Sequence, residues 1–499
     1  MPERNTRLIL FILGFGIFMF SRQSELVPAI GCAIIGAPIF ILRFIRTQKY
    51  HAILMTFLGF FLSLNIALFG LFNLDDGLPT LAINFIRSSF LAVLFAIPYI
   101  LDKLIYRKIT LPGTIKTLVF PVMVTAILFL SSLEGPFDGD VAKDIYAQGP
   151  LFFQQTASLF GLWGFVFLFS WVASFVNYVW EHHFQWKTIK TASIVFLCVF
   201  LLLSGFGVIK MQTSSRSKPD TVKVASAVLI PPDGKAISMI DTLRNKQTSP
   251  FESTINRIEI MSQKAAENAA KIISFQEYAI IVTEDDREML LGDLLRIAKE
   301  NHLYLNLSYA YYAKEGKGRN MNLLINPEGT ILIDYAKRYL LGIGDLGETG
   351  VFKKGPEIIQ TARTPYGVLA VSTCRDMSFP PFIRQAGKKN VDVMLGPSYD
   401  FPKSVSPSYY LRALENGFSF VRSTYNGISY AIDYNGNLLA RMDSEQSKDG
   451  MMYADVPIKG VRTFYSRWGD LLGWASIIGA LFFIFYASMQ KHFVNKSSA

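Results

Sequence analysis

Cysteine and histidine are scarce: three and five in 499 residues. No Cys-x-x-Cys pair or Cys/His cluster occurs, which argues against a metal site. Cys32 and Cys198 lie inside apolar runs and are expected to pack as inert small hydrophobes. Cys374 is then the one thiol in the polar part of the chain, so no disulfide can form within that part. No histidine falls in a segment that carries candidate chemistry, which argues against a Cys/His protease. Charge is also short, at 18% of residues, where a soluble chain carries about 25%. The formal net charge is +10, yet the basic residues are spread between apolar runs. That pattern speaks for membrane orientation and against nucleic-acid binding. No internal repeat or low-complexity tract is present.

What the chain has in abundance is hydrophobic residues, 51% of the total. Apolar segments fall near Leu8–Phe20, Leu26–Leu42, Ile53–Phe72, Leu81–Leu101, Leu118–Ser132, Thr156–Val179, Ala192–Ile209 and Leu471–Ser488. A helix needs roughly 20 residues to cross the hydrocarbon, so the first two are short. No small-residue cleavage site follows the first, which is expected to remain as an anchor. Loop charge alternates. Arg4, Arg7, Arg43, Arg46, Lys49, Lys103, Arg107, Lys108, Lys116, Lys187, Lys190, Lys491 and Lys496 mark one side. Asp75, Asp76, Glu134, Asp138, Asp140 and Asp144 mark the other. Basic loops stay in the cytoplasm. Residues 1–211 are therefore expected to form a membrane domain of about seven helices. Residues 212–462 would be an extracytoplasmic domain, and 463–499 a last membrane helix with a short cytoplasmic tail.

The polar stretch is long enough for one substantial core. Strands are expected at Val222–Ile230, Lys271–Phe275, Leu303–Ser308, Asn322–Asn326, Thr330–Tyr335, Val391–Leu395, Phe418–Ser423, Ile428–Asp433 and Leu438–Met442. Arg287–Glu300 and Ser408–Asn416 have helical spacing. Strands alternating with helices indicate an α/β sandwich. The run Gly367–Val371 ends just before Cys374, which puts a thiol at the carboxyl end of a strand, where open α/β sheets place chemistry. Glu277, beyond another strand, could take the thiol's proton. Lys337, beyond a strand hairpin, could stabilise a thiolate and then an oxyanion.

Glu277, Lys337 and Cys374-Arg375-Asp376, with Phe379-Pro380 and Asn390 to Ser398, resemble the nitrilase (carbon–nitrogen hydrolase) superfamily. That resemblance implies a four-layer α-β-β-α sandwich. The run of membrane spans around the domain narrows the likeness to the apolipoprotein N-acyltransferase family, of which this chain looks like a divergent member. So do Gln155 to Gly164, Leu411 to Gly417, and Thr463-Phe464-Tyr465-Ser466-Arg467-Trp468-Gly469-Asp470. The resemblance implies an enzyme of the cytoplasmic (inner) membrane with no cofactor. Cys374 would take an acyl chain from a phospholipid and pass it, through a thioester, to the amine of a diacylglyceryl-cysteine lipoprotein. Glu277 would be the base and Lys337 the oxyanion partner. Asp345 sits where the family carries a supporting glutamate. Arg375-Asp376 stands where the family has Tyr-Glu, and Phe275-Gln276-Glu277 where it has Trp-Pro-Glu. Arg422 and Asn426 are expected to organise backbone near the site, and Trp468 to anchor at the interface. The alternatives are a membrane-anchored amidase and an inactive nitrilase-like scaffold.

Overall fold

A computed structural model describes residues 3–22, 26–47, 51–69, 77–133, 151–216, 219–230, 239–343, 346–400, 409–444, 446–447 and 450–497. The acidic loop residues Asp75, Asp76, Glu134, Asp138, Asp140 and Asp144, and Asp345, lie outside them. The chain divides into two compact units. One comprises Met1–Ser214, Ser406–Leu411 and Trp468–Ala499; the other comprises Ser215–Val405 and Arg412–Arg467.

The first unit is helical. Among the described residues, five helical stretches are long and apolar enough to cross a membrane: Leu81–Tyr106, Gly113–Leu133, Leu162–Glu181, Trp186–Gln212 and Leu471–Gln490. Three further apolar helices, Glu3–Phe18, Ala33–Thr47 and His51–Ala67, are shorter. The second begins later than its apolar run because Pro28 and Gly31 disfavour helix at its start. The segment from Thr156 is split at Gly161, whose φ of 64° breaks the helical path before Leu162. Cys32 and Cys198 are exposed and not packed as expected. Around a membrane-length helix the outside is as apolar as the inside, so hydropathy does not distinguish the two. Inside this unit Arg46 makes a two-pronged pair with Asp102, at 2.8 and 2.9 Å, and lies 3.5 Å from the Tyr106 ring centroid.

The second unit holds two main sheets. Strands are β1 Thr221–Ala227, β2 Ile272–Phe275, β3 Ile280–Thr283, β4 Tyr304–Tyr312, β5 Arg319–Ile325, β6 Ile331–Ala336, β7 Gly342–Ile343 and β8 Leu346–Gly347. They continue with β9 Thr361–Thr364, β10 Gly367–Val371, β11 Val393–Tyr399, β12 Ser419–Tyr425, β13 Ile428–Ile432, β14 Leu438–Asp443 and β15 Met451–Pro457. The first sheet runs β15-β1-β2-β4-β5-β6, with β3 also on β4; the second runs β14-β13-β12-β11-β10-β9. The short β7 and β8 pair with each other. Parallel pairing joins β1-β2-β4 and β3-β4 in the first sheet and β10-β11-β12 in the second.

Helices Phe251–Glu267 and Arg287–Glu300 cover the first sheet through Ile255, Ile258, Leu290, Leu294 and Ile297. Helix Pro380–Lys388 buries Phe382, Ile383 and Ala386 beside the second. The two sheets meet through polar contacts: Ser226 Oγ donates to Ser423 Oγ (2.7 Å), which donates to Ser274 O (2.8 Å). This is the expected sandwich of two sheets with outer helices. Within it a hydrogen-bonded chain runs from Ser274 to Asn306 (2.8 Å), Asn322 (2.6 Å) and Thr373 (3.2 Å). All four residues are fully buried. Such a satisfied network fixes one arrangement, and here it fixes the residue before Cys374.

Candidate active site

Glu277 stands two residues past β2, and its N–H donates to Ser398 O (3.3 Å) at the end of β11. Lys337 follows β6 directly. The β5/β6 register pairs Met321 with Ala336, so Asn320 falls beside Lys337, whose N–H donates to Asn320 O (2.9 Å). Lys337 Nζ donates to Glu277 Oε1 (2.7 Å) and to both oxygens of Glu348 (2.9 Å each). Asn320 Nδ2 bridges the same two carboxylates at 2.8 and 3.0 Å. Glu348 also accepts from Leu341 N–H (2.6 Å) and from the Tyr278 hydroxyl. Lys337, Glu277 and Glu348 are 2%, 1% and 4% exposed, so one cation and two anions share a dry pocket.

Cys374 opens a 3₁₀ turn, Cys374–Ser378, and its φ of 46° lies in the left-handed region. Non-glycine residues held there are costly and cluster at functional sites. The turn is clamped by a reciprocal cap between Thr373 and Asp376. Tyr399 links thiol and carboxylate: its N–H donates to Glu277 Oε2 (3.1 Å), and its carbonyl accepts from the Cys374 thiol (3.6 Å). Tyr278 and Asn426, both beside the site, also have positive φ.

The electrostatics follow from burial. Burial raises the Glu277 carboxyl; Lys337 pulls it back, and Glu348 adds to the rise, leaving it above the ordinary value. Burial alone would lower Lys337, but Glu277 and Glu348 together hold it well above its ordinary value. Burial alone would raise Glu348, but Lys337 and the Tyr278 bond bring it below. Burial, with the charge of Glu277, pushes the Cys374 thiol up. The resting sulfur is thus protonated, beside a carboxylate able to take its proton.

The other expected residues sit around this centre. Asp376 is buried; it accepts from Tyr335 OH (2.5 Å) and Tyr339 N–H (2.7 Å), and burial raises it to about 7. It braces the turn. Arg375 Nη1 donates to Leu340 O (2.8 Å), and its guanidinium lies 5.8 Å from the Phe379 ring centroid. Arg422 donates to Asp400 Oδ1 (2.6 Å) and Ser398 Oγ (3.3 Å), and Asn426 Nδ2 donates to Tyr399 OH (3.2 Å). Both therefore hold the end of β11. Asp345 is outside the described residues. The second carboxylate on Lys337, beside Glu277, is Glu348, which sequence reasoning missed along with Asn320 and Tyr278. An acid eleven residues past the lysine was visible, but Asp345 was nearer the family spacing.

Residues 225–465 match the carbon–nitrogen hydrolase family. That stretch is a divergent domain of that superfamily. The chain is 25% identical over 282 residues to apolipoprotein N-acyltransferase 2 of Treponema denticola, covering 49% of this chain and 52% of that protein. It is 30% identical over 132 residues to the apolipoprotein N-acyltransferase of Shewanella oneidensis, covering 25% and 24%. The deaminated glutathione amidase of Dictyostelium discoideum is 23% identical over 210 residues, covering 36% and 71%. The chain thus spans about half or less of the length of these two N-acyltransferases. Within the superfamily, N-acyltransferases and amidases both stand among its relatives.

Proposed function

We propose that this protein transfers an acyl chain from a phospholipid to the N-terminal amine of a diacylglyceryl-cysteine lipoprotein. The observation that carries the proposal is the Tyr399 backbone, bonded at once to Glu277 and to the Cys374 thiol, beside the buried Lys337. In the first half-reaction Cys374 Sγ attacks the ester carbonyl while Glu277 accepts the thiol proton. Lys337 stabilises the oxyanion. The C–O bond breaks, the proton passes to the departing oxygen, and a lysophospholipid leaves a thioester. In the second, the amine attacks the thioester with Glu277 as base, an amide forms, and the thiol is restored. Glu348 and Asn320 position Lys337 and Glu277. The five membrane-length helices favour lipid substrates over the soluble amides of an amidase. The alternating loop charge supports a catalytic domain, residues 212–462, on the extracytoplasmic side.

The test is intact-mass analysis of the purified full chain incubated with phospholipid, followed by addition of a diacylglyceryl lipopeptide. The expected result is an acyl adduct on Cys374 that disappears as acylated peptide forms. Cys374→Ala should give neither. An adduct that yields only free fatty acid would establish the hydrolase instead, and activity unchanged in Cys374→Ala would refute both.

A further inference from the structure

We propose that a basic cavity at the opposite end of the second sheet from Cys374 binds a phosphate-bearing anion, either a lipid headgroup or free phosphate. Its volume is about 320 Å³, and Arg363, Lys389, Lys459 and Arg462 line it together with Asp392. The one carboxylate is already committed. Asp392 Oδ2 accepts from Val368 N–H (2.8 Å) and Oδ1 from Gly460 N–H (2.9 Å). Those bonds fasten the start of β10 to the segment that carries Lys459 and Arg462, so Asp392 builds the wall. Four cations against one occupied anion leave a formal surplus of three positive charges around the cavity. Among the described residues none of the four cations has an ion-pair partner.

The cavity is separate from the nucleophile. Asp392 precedes β11 and Tyr399, the thiol's partner, ends it. Seven residues of strand at about 3.3 Å each put roughly 23 Å between them. The cavity therefore takes no part in the chemistry at sulfur, and the proposal holds whichever reaction Cys374 performs.

Its surroundings match the chemistry of a lipid headgroup. Val461 and Phe464, on either side of Arg462 in sequence, are 37% and 43% exposed. Nine residues after Arg462, at Leu471, the chain enters the membrane-length apolar helix Leu471–Gln490. Cations interleaved with exposed apolar side chains just before a membrane-length helix are the composition that meets an anionic lipid surface.

The test uses the full chain in nanodiscs of phosphatidylcholine doped with phosphatidylglycerol, with retained lipid counted by native mass spectrometry. A variant carrying Arg363→Gln, Lys459→Gln and Arg462→Gln is compared with one carrying Lys246→Gln, Lys271→Gln and Lys299→Gln, which removes the same charge elsewhere. The expected result is retention of phosphatidylglycerol over phosphatidylcholine by the wild type and the control. The cavity variant should bind it about 100-fold more weakly, from about fivefold per cation. Inorganic phosphate is titrated in a second arm. If it binds the wild type but not the cavity variant, and phosphatidylglycerol does not compete, the anion site stands with a soluble ligand. Equal behaviour of the cavity variant and the wild type in both arms would overturn the proposal, as would equal losses in the cavity and control variants.

Discussion

Replacing Glu348 by Gln isolates the electrostatic part of the site. The amide keeps the shape and one acceptor for Leu341 N–H and Lys337, but carries no charge. Glu277 and Glu348 both bond Lys337 Nζ, at 2.7 and 2.9 Å. Their oxygens are therefore no more than about 5.6 Å apart, where two unit charges repel by about 3 kcal/mol at an effective dielectric constant near 20. That repulsion acts with burial to raise the Glu277 carboxyl. Without it Glu277 is a weaker base, and Lys337, left with one carboxylate, grips it harder. Both changes oppose proton transfer from sulfur, and a loss of about 3 kcal/mol corresponds to roughly 100-fold in rate. The assay is single-turnover formation of the acyl adduct on Cys374 across a pH series. Only ionised Glu277 accepts the proton, so the rate falls as pH drops through its pKa. In Glu348→Gln that fall should move to lower pH while the plateau drops about 100-fold. A wild-type plateau, or an acid limb that stays in place, would refute the reasoning.

Two further predictions concern stability. The Asp376 carboxyl is raised from 3.8 to about 7 in the folded chain. As pH rises from about 4 to 7 the unfolded state loses this proton first, so stability falls through that window by on the order of 4 kcal/mol and is flat above it. Asp376→Asn should remove that fall; melting temperatures across the window that run parallel in the two proteins would count against it. In the helical unit, Arg46 and Asp102 are 3% and 0% exposed. Arg46→Met alone should destabilise by about 3–5 kcal/mol by stranding a buried carboxylate, and adding Asp102→Leu should restore most of it. Thermal melts in one detergent check this, and a double variant no better than the single one would contradict it.

The sequence made the sheet centres legible, because β1, β2, β10, β11 and β12 are short apolar runs bounded by turn residues. The β13–β14 hairpin was equally plain, since Asn435-Gly436 supplies the turn and Gly436 takes φ of 80°. Helix Phe251–Glu267 was overlooked although Ile255, Ile258, Met261 and Ala265 keep helical spacing. Its polar residues make it nearly neutral in overall hydropathy. Strand β15 was missed because it follows a polar turn and pairs with β1, more than two hundred residues earlier. Glu277, Lys337 and Cys374, which the structure gathers around Tyr399 and Asn320, stand out in the sequence because each follows an apolar strand. Glu348 lies in a short helix after a two-strand loop, where no periodicity announces it. Asn320 looks like any strand polar residue until the β5/β6 register sets it beside Lys337. Asp376 was readable as an acid near the nucleophile, but not as a brace, since Tyr335 and Tyr339 reach it across the fold.

The arrangement implies an order of events at sulfur. A resting thiolate on the half-buried Cys374 would have to coexist with the charge of Glu277; instead burial and that carboxylate push the thiol up, toward its protonated form. In the proposed reaction an arriving ester carbonyl would send the proton to Glu277 as negative charge appears on the carbonyl oxygen. A neutral Glu277 releases its hold on Lys337, and one Nζ donor turns to the oxyanion while Glu348 keeps the ammonium in place. Charge then crosses the site without changing its total, so no added charge is buried at the transition state. This makes Glu277→Gln a test with two opposite readouts. Removing the carboxylate should collapse acyl transfer for lack of a base. The same change deletes a charge that raises the thiol, while Lys337 remains to favour a thiolate. Alkylation of Cys374 by iodoacetamide at mildly alkaline pH should therefore speed up in the variant. If acylation and alkylation fall together, Glu277 is shaping the pocket and not carrying the proton.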